Sequence, residues 1–305
     1  MRGLSVLPLL LLLSCSSAKH SSGFTDGSSG SGSSGSSGGE TFGGDGGGSG
    51  AGCSEAAKLV YVVSQENDLY SFDPDKLAFA KVGPLTCPAT GGSTPFSMAV
   101  DRNGIAWVDY DNGQLFKVST ADASCTGTSF VPQQGFQTFG MGFSTNAPGT
   151  TAETLFVCGF HFANGIDQGL GLARLDTTSL AIAPLGTFTG GLHGHCGELT
   201  GTGDAKLYGF FEGSPAMLAD IDKSTTATPS PHALGSLQLS TDSAYAFSFW
   251  GGDFWFYSAS AANTSSQVTR YKAATDGSVS VVMPSVGFTI VGAGVSTCAP
   301  TTPTK

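Results

Sequence analysis

Five short apolar runs recur between residues 53 and 300: 59–63 (LVYVV), 105–108 (IAWV), 154–157 (TLFV), 206–210 (KLYGF) and 253–257 (DFWFY). Their centres lie roughly fifty residues apart, the spacing of propeller blades and other structural arrays. Each run is followed by a second one that ends at a polar turn: 69–73 (LYSFD), 115–119 (LFKVS), 172–176 (LARLD), 217–222 (MLADID) and 268–272 (VTRYK). Their alternation and their enrichment in β-branched and aromatic residues predict strands. Four of the pairs are preceded by a run of small residues: 96–100 (FSMAV), 139–143 (FGMGF), 197–201 (GELTG) and 245–249 (YAFSF). Small side chains suit a strand that lines a crowded central axis. The unit at residue 59 has no such run before it, and the fifth member, 290–295 (IVGAGV), stands at the far end of the chain. The economical solution is an all-β, five-bladed propeller in which the C-terminal strand becomes the innermost strand of the first blade, leaving no unpaired edge. A sixth blade would have to lie in the long stretch 136–190.

The stretch 95–108 (PFSMAVDRNGIAWV) resembles the blade signature of NHL-type and gluconolactonase-like propellers, in which an apolar strand, an Asp-x-x-Gly turn and a second apolar strand follow one another. Asp101 and Gly104 occupy the turn, where an Asp side chain caps the bend and Gly accepts positive φ. One blade in five carries the pattern clearly, so the resemblance implies a propeller and says little about chemistry. Gluconolactonase-like enzymes take a metal ligand from an early Glu-Gly-Pro motif that has no equivalent in the first blade here; Glu212-Gly213 falls in a hairpin.

The N-terminus reads as an address. Met1-Arg2 supplies a positive start and residues 4–13 an apolar run of signal-peptide length, too short for a bilayer span of about 20 residues. Leu12-Leu13-Ser14-Cys15 resembles a bacterial lipobox, which implies a signal peptide over 1–14 and a mature lipoprotein whose Cys15 carries the acyl chains. Ser16, where enterobacterial sorting would read an Asp for retention, points to the outer membrane. Residues 15–52 are almost wholly Gly and Ser after the cysteine, a flexible tether with a mean reach on the order of 35 Å. The propeller domain is expected over 53–305.

Six cysteines remain after lipidation, an even number in an exported domain and so up to three disulfides. Cys298 ends the closing strand and Cys53 lies just before its partner, so a Cys53–Cys298 bond would lock the ring. Cys158 and Cys196 fall near one rim of successive blades, and Cys87 with Cys125 is left by subtraction.

With 13 Lys and Arg against 23 Asp and Glu, a net charge of −10, the chain lacks the basic footprint of a nucleic-acid binder. The candidate chemical cluster is His161, His193, His195 and Glu198 with the nearby cysteines, a set able to hold zinc or copper. Three neighbouring glycines, 191, 194 and 197, make the same segment an ordinary exposed loop. Residues 109–113 (DYDNG) resemble part of a calcium loop but lack its distal Glu, and a Gly-closed hairpin accounts for them. Trp250, Phe254, Trp255, Phe256 and Tyr257 read as inter-blade packing before they read as a sugar platform. The folded part has no Gly-x-Ser-x-Gly elbow and no Walker or dinucleotide fingerprint. The expectation is a monomeric binding module, without a cofactor, held to a membrane by its lipid anchor and facing a protein or glycan. A metal-assisted hydrolase or lyase on the histidine rim is the alternative.

Overall fold

The computed structural model describes residues 53–163, 166–228, 231–234, 239, 241 and 243–304; the stretch 1–52, on which the expected signal peptide, lipidated Cys15 and tether fall, lies outside the described residues. Blade one contains β1 (Val60–Ser64), β2 (Asp68–Asp73) and β3 (Ala78–Pro84). Blade two follows as β4 (Pro95–Val100), β5 (Ile105–Tyr110), β6 (Leu115–Ser119) and β7 (Cys125–Gly127). Blade three starts with β8 (Thr138–Thr145) and β9 (Glu153–Phe160), is interrupted by a hairpin of β10 (Phe162–Ala163) and β11 (Ile166–Asp167), and ends with β12 (Gly171–Leu175) and β13 (Ile182–Gly186). Blade four comprises β14 (Glu198–Gly201), β15 (Leu207–Phe211), β16 (Met217–Asp220) and β17 (His232–Ala233). Blade five comprises β18 (Ala244–Trp250), β19 (Asp253–Ser260), β20 (Asn263–Tyr271) and β21 (Val279–Met283), and the chain closes with β22 (Ile290–Val295).

Every blade is a four-stranded antiparallel sheet, and blade one has the order β22-β1-β2-β3. The closing strand pairs Val295 with Val60 and Ala293 with Val62, so the ring shuts as the repeat pattern predicts. The long stretch 136–190 holds blade three and the small β10–β11 hairpin, not a sixth blade.

Packing between blades explains the apolar runs. Along β1, Val60 and Val62 join the core shared with blade five, while Tyr61 and Val63 join the core shared with blade two. Along β19, Phe254 and Phe256 face blade four, and Trp255 and Tyr257 face blade one. Period-two alternation therefore sorts the side chains between two interfaces, both buried. Five such clusters, one per blade junction, replace a single central core. The aromatic group at 250–257 is thus inter-blade packing, buried throughout.

At the axis the backbones themselves touch. A Cβ added to Gly140 would stand 2.2 Å from the Gly197 carbonyl oxygen, and one added to Gly294 would meet the Ala99 backbone at 3.0 Å. The signature turn in blade two forms as expected: Asp101 Oδ1 accepts from the amides of Asn103 (2.8 Å) and Ile105 (3.0 Å), and Gly104 sits at φ +75°.

Three disulfides complete the frame. Cys53–Cys298 joins the two ends of the domain, Cys87–Cys125 ties the segment leaving blade one to the outer strand of blade two, and Cys158–Cys196 links blades three and four. On the face where the inner strands end, Arg102 Nη1 donates to Thr297 Oγ1 (3.0 Å) and Thr297 Oγ1 donates to Glu153 Oε2 (2.6 Å), which stitches blades two and three to the closing segment.

Candidate functional site

The inner strands β4, β8, β14, β18 and β22 begin on one face, here called the upper face. A cavity of about 290 Å³ opens there at the axis. Every blade contributes to its wall: Phe96 from β4, Phe160 from the end of β9, Glu198 from β14, Tyr245 from β18 and Val291 from β22. Glu212, Thr241 and Ser243 complete the rim.

Glu198 is the first residue of β14 and is 3% exposed. Its Oε2 accepts a hydrogen bond of 2.7 Å from Ser97 Oγ on β4. Burial pushes the carboxyl up to about 8, with the Ser97 hydrogen bond pulling the other way, so at pH 7 the neutral acid predominates. Ser97 is the cross-strand partner of Asp109 on β5. Asp109 is fully buried; its Oδ2 accepts from the Phe139 amide at 3.0 Å, and its Oδ1 has no hydrogen-bond partner. Burial holds this carboxyl well above the usual range, and the nearby Glu198 adds to the effect. Two buried acids and a serine therefore form a polar plug beneath the mouth. A protonated carboxyl both donates and accepts, which suits an uncharged hydrogen-bonding group better than an ion.

The rim adds complementary surfaces. Phe96 and Phe160 meet edge to face with centroids 5.5 Å apart. Glu212, on the β15–β16 hairpin, accepts from Thr241 Oγ1 at 3.1 Å. Apolar rings beside hydroxyls and carboxyls are the composition of a small-molecule or glycan pocket.

The histidine cluster does not assemble. His161 follows β9, while His193 and His195 precede β14, and all three are exposed on the upper face. Glu198, three residues after His195, lines the axial cavity instead. Cys158 and Cys196 are bonded to each other, which withdraws both thiolates. Among the described residues no group of three or more His, Cys, Asp or Glu side chains gathers in a geometry that holds a metal. The DYDNG segment is likewise divided: Asp109 and Tyr110 are buried strand residues, and Asp111, Asn112 and Gly113 form the hairpin turn.

Glu198 meets Ser97 and not the histidines that stand beside it in the chain, and no motif marks Ser97. Asp109 was visible only as part of a turn, although a carboxylate inside the apolar run IAWVDY is itself a signal, because an unpaired charge is rarely buried without a purpose.

No family model matches the chain, and no curated protein matches it either. Among solved structures it is similar to a protein of unknown function from Bacteroides caccae (TM-score 0.43, 9% identity, covering 77% of this chain and 97% of that one). It is similar also to a protein of unknown function from Bacteroides thetaiotaomicron (TM-score 0.46, 11% identity, 77% and 60%). The Dos1 propeller is a third (TM-score 0.40, 11% identity, 79% and 56%). The chain spans less than two-thirds of the last two. Likeness this distant leaves the fold to be read from the strand topology itself.

Proposed function

We propose that this chain is an extracytoplasmic binding module, held to a membrane through a lipidated Cys15 and a Gly/Ser tether, and that the upper mouth of its propeller takes an uncharged, hydroxyl-bearing ligand such as a glycan. The observation that carries the reading is Glu198, a buried carboxyl kept largely neutral at the wall of an open cavity bordered by all five blades. Three disulfides support an oxidising compartment. Fold alone carries no function, so the reading rests on the mouth.

The test is a neutral-glycan array probed with the oxidised chain, alongside Glu198→Gln and Phe96→Ala variants. Glycan binding that weakens in both variants supports the proposal. Binding untouched by either variant moves the ligand away from the mouth, and a protein captured by cross-linking in place of any glycan replaces the ligand class.

A further inference from the structure

The lower face, where the inner strands end, carries a separate groove between blades three and four, about 640 Å³ in volume. Arg174 of β12, Lys206 just before β15 and Lys223 just after β16 border it, with the Phe156 ring among its walls. Asp220 and Asp222 border it too, so three cations face two carboxylates in a chain that has 13 Lys and Arg against 23 Asp and Glu.

What matters is how these cations are partnered. Lys206 lies 3.6 Å from Asp220, and both are half exposed, so that pair accounts for itself. Asp222 spends Oδ1 on the amide (2.8 Å) and hydroxyl (2.7 Å) of Ser224, which caps the turn and holds its carboxyl down at about 2. Lys223 has no carboxylate partner. Its ammonium donates to the neutral Ser144 Oγ at 3.0 Å and the Thr145 carbonyl at 2.7 Å, and stands 5.8 Å from the centre of the Phe156 ring. Arg174 forms no side-chain hydrogen bond or ion pair among the described residues. Burial and the nearby Arg174 charge both lower the Lys223 pKa, with Asp204 offsetting part of that. Lys223 and Arg174 thus repel each other with no carboxylate bonded to either among the described residues, although Asp220 and Asp222 stand in the same groove.

We propose that this groove is an oxyanion site, in which a carboxylate or phosphate group is held between the Arg174 guanidinium and the Lys223 ammonium. Lys223 has a third N–H beyond the two already used, and a guanidinium grips planar or tetrahedral oxyanions through paired donors. The anion would turn the Arg174–Lys223 repulsion into attraction. The volume leaves room for the rest of a sugar-sized molecule over Phe156. This site lies on the face opposite the axial mouth.

The test uses the full chain titrated calorimetrically with sodium glucuronate, inorganic phosphate and, as the uncharged control, glucose. Lys223 acetylation by an amine-reactive ester, followed by mass spectrometry, supplies a second readout. Arg174 is exposed and unbonded, so Arg174→Gln leaves the fold intact; Lys272→Gln on blade five serves as the remote control. The expected result is binding of at least one oxyanion, weakened about tenfold by Arg174→Gln and not by Lys272→Gln, falling with added salt, and protecting Lys223 from acetylation. Glucuronate binding without phosphate binding identifies an acidic-sugar carboxylate, and the reverse identifies a phosphate. Failure of both ions to bind, or binding that the two variants weaken equally, overturns the proposal.

Discussion

Ser97 on the inner strand of blade two donates a 2.7 Å hydrogen bond to Glu198 on the inner strand of blade four, passing over blade three across the propeller axis. The bond joins residues 101 positions apart and fixes the carboxyl at the mouth. Burial of that carboxyl, against the pull of the hydrogen bond, sets the direction in which pH acts on it.

Folding raises the Glu198 pKa from 4.5 to about 8. Between those values the folded chain keeps a proton that the unfolded chain has released. Stability is therefore full below about pH 4.5 and declines as pH rises toward 8; Asp109, also raised, pushes the same way. By pH 7 the Glu198 contribution amounts to a loss on the order of 3 kcal/mol. Urea unfolding of wild type and Glu198→Gln at a series of pH values checks this. The variant should gain on wild type steadily from pH 5 to pH 8, and parallel curves would show that Glu198 ionises as freely folded as unfolded.

Close approach at the axis predicts an unusual sensitivity to a single methyl group. Gly140→Ala places a Cβ against the Gly197 carbonyl and forces two blades apart, costing about 1–3 kcal/mol or more. Gly191→Ala, where nothing lies within 4 Å, is the matched control and should change little. Equal melting temperatures for the two variants would contradict the packed axis.

The blade architecture was legible because a propeller writes its repeat into the chain. The runs at 59, 105, 154, 206 and 253 all became second strands of blades, and the small-residue runs became inner strands. The Cys53–Cys298 pair followed from that topology. The site was less legible. Ser97 and Glu198 meet only because five inner strands converge, and nothing local to either residue marks the encounter. The histidines misled because spacing along the chain brings them near Glu198, while the turn into β14 takes the carboxyl inside and leaves His193 and His195 in solvent. Trp107 shows the same limit from the packing side: its apolar run was evident, but not that its Nε1 would be buried without a hydrogen-bond partner.

The three disulfides should rank by the length of chain they close. Cys53–Cys298 spans 245 residues and the other two 38 each. Loop entropy assigns roughly 5 kcal/mol to the first and roughly 4 kcal/mol to each of the others. Paired Cys→Ser variants, compared by denaturant midpoint, should place Cys53/Cys298 as the most damaging. A larger loss at Cys87/Cys125 would mean that chain entropy does not govern the ranking.

Anchoring is tested separately from folding. Cells making the full chain should hold it in the membrane fraction and label it with an alkyne fatty acid, and Cys15→Ser should abolish the label and release the chain. Membrane retention of an unlabelled Cys15→Ser chain would remove the lipid anchor from the proposal and leave the propeller unaffected.

Ring closure has the sharpest consequence. β22 is the inner strand of blade one, and it brings Ile290, Ala293 and Val295 into the core between blades five and one. Just beyond it, the Ser296 hydroxyl donates to the Ala57 carbonyl at 2.6 Å, tying the closing segment to the start of the domain. Deleting residues 288–305 removes these contacts together with Cys298, so the staple must be separated from the strand. The Cys53→Ser, Cys298→Ser chain provides that reference. If closure by β22 matters, the truncated chain should unfold well below the double-serine chain and expose the β1 edge, seen as aggregation and rapid protease cleavage in blade one. Coincident melting of the two would assign the whole effect to the disulfide and none to the strand.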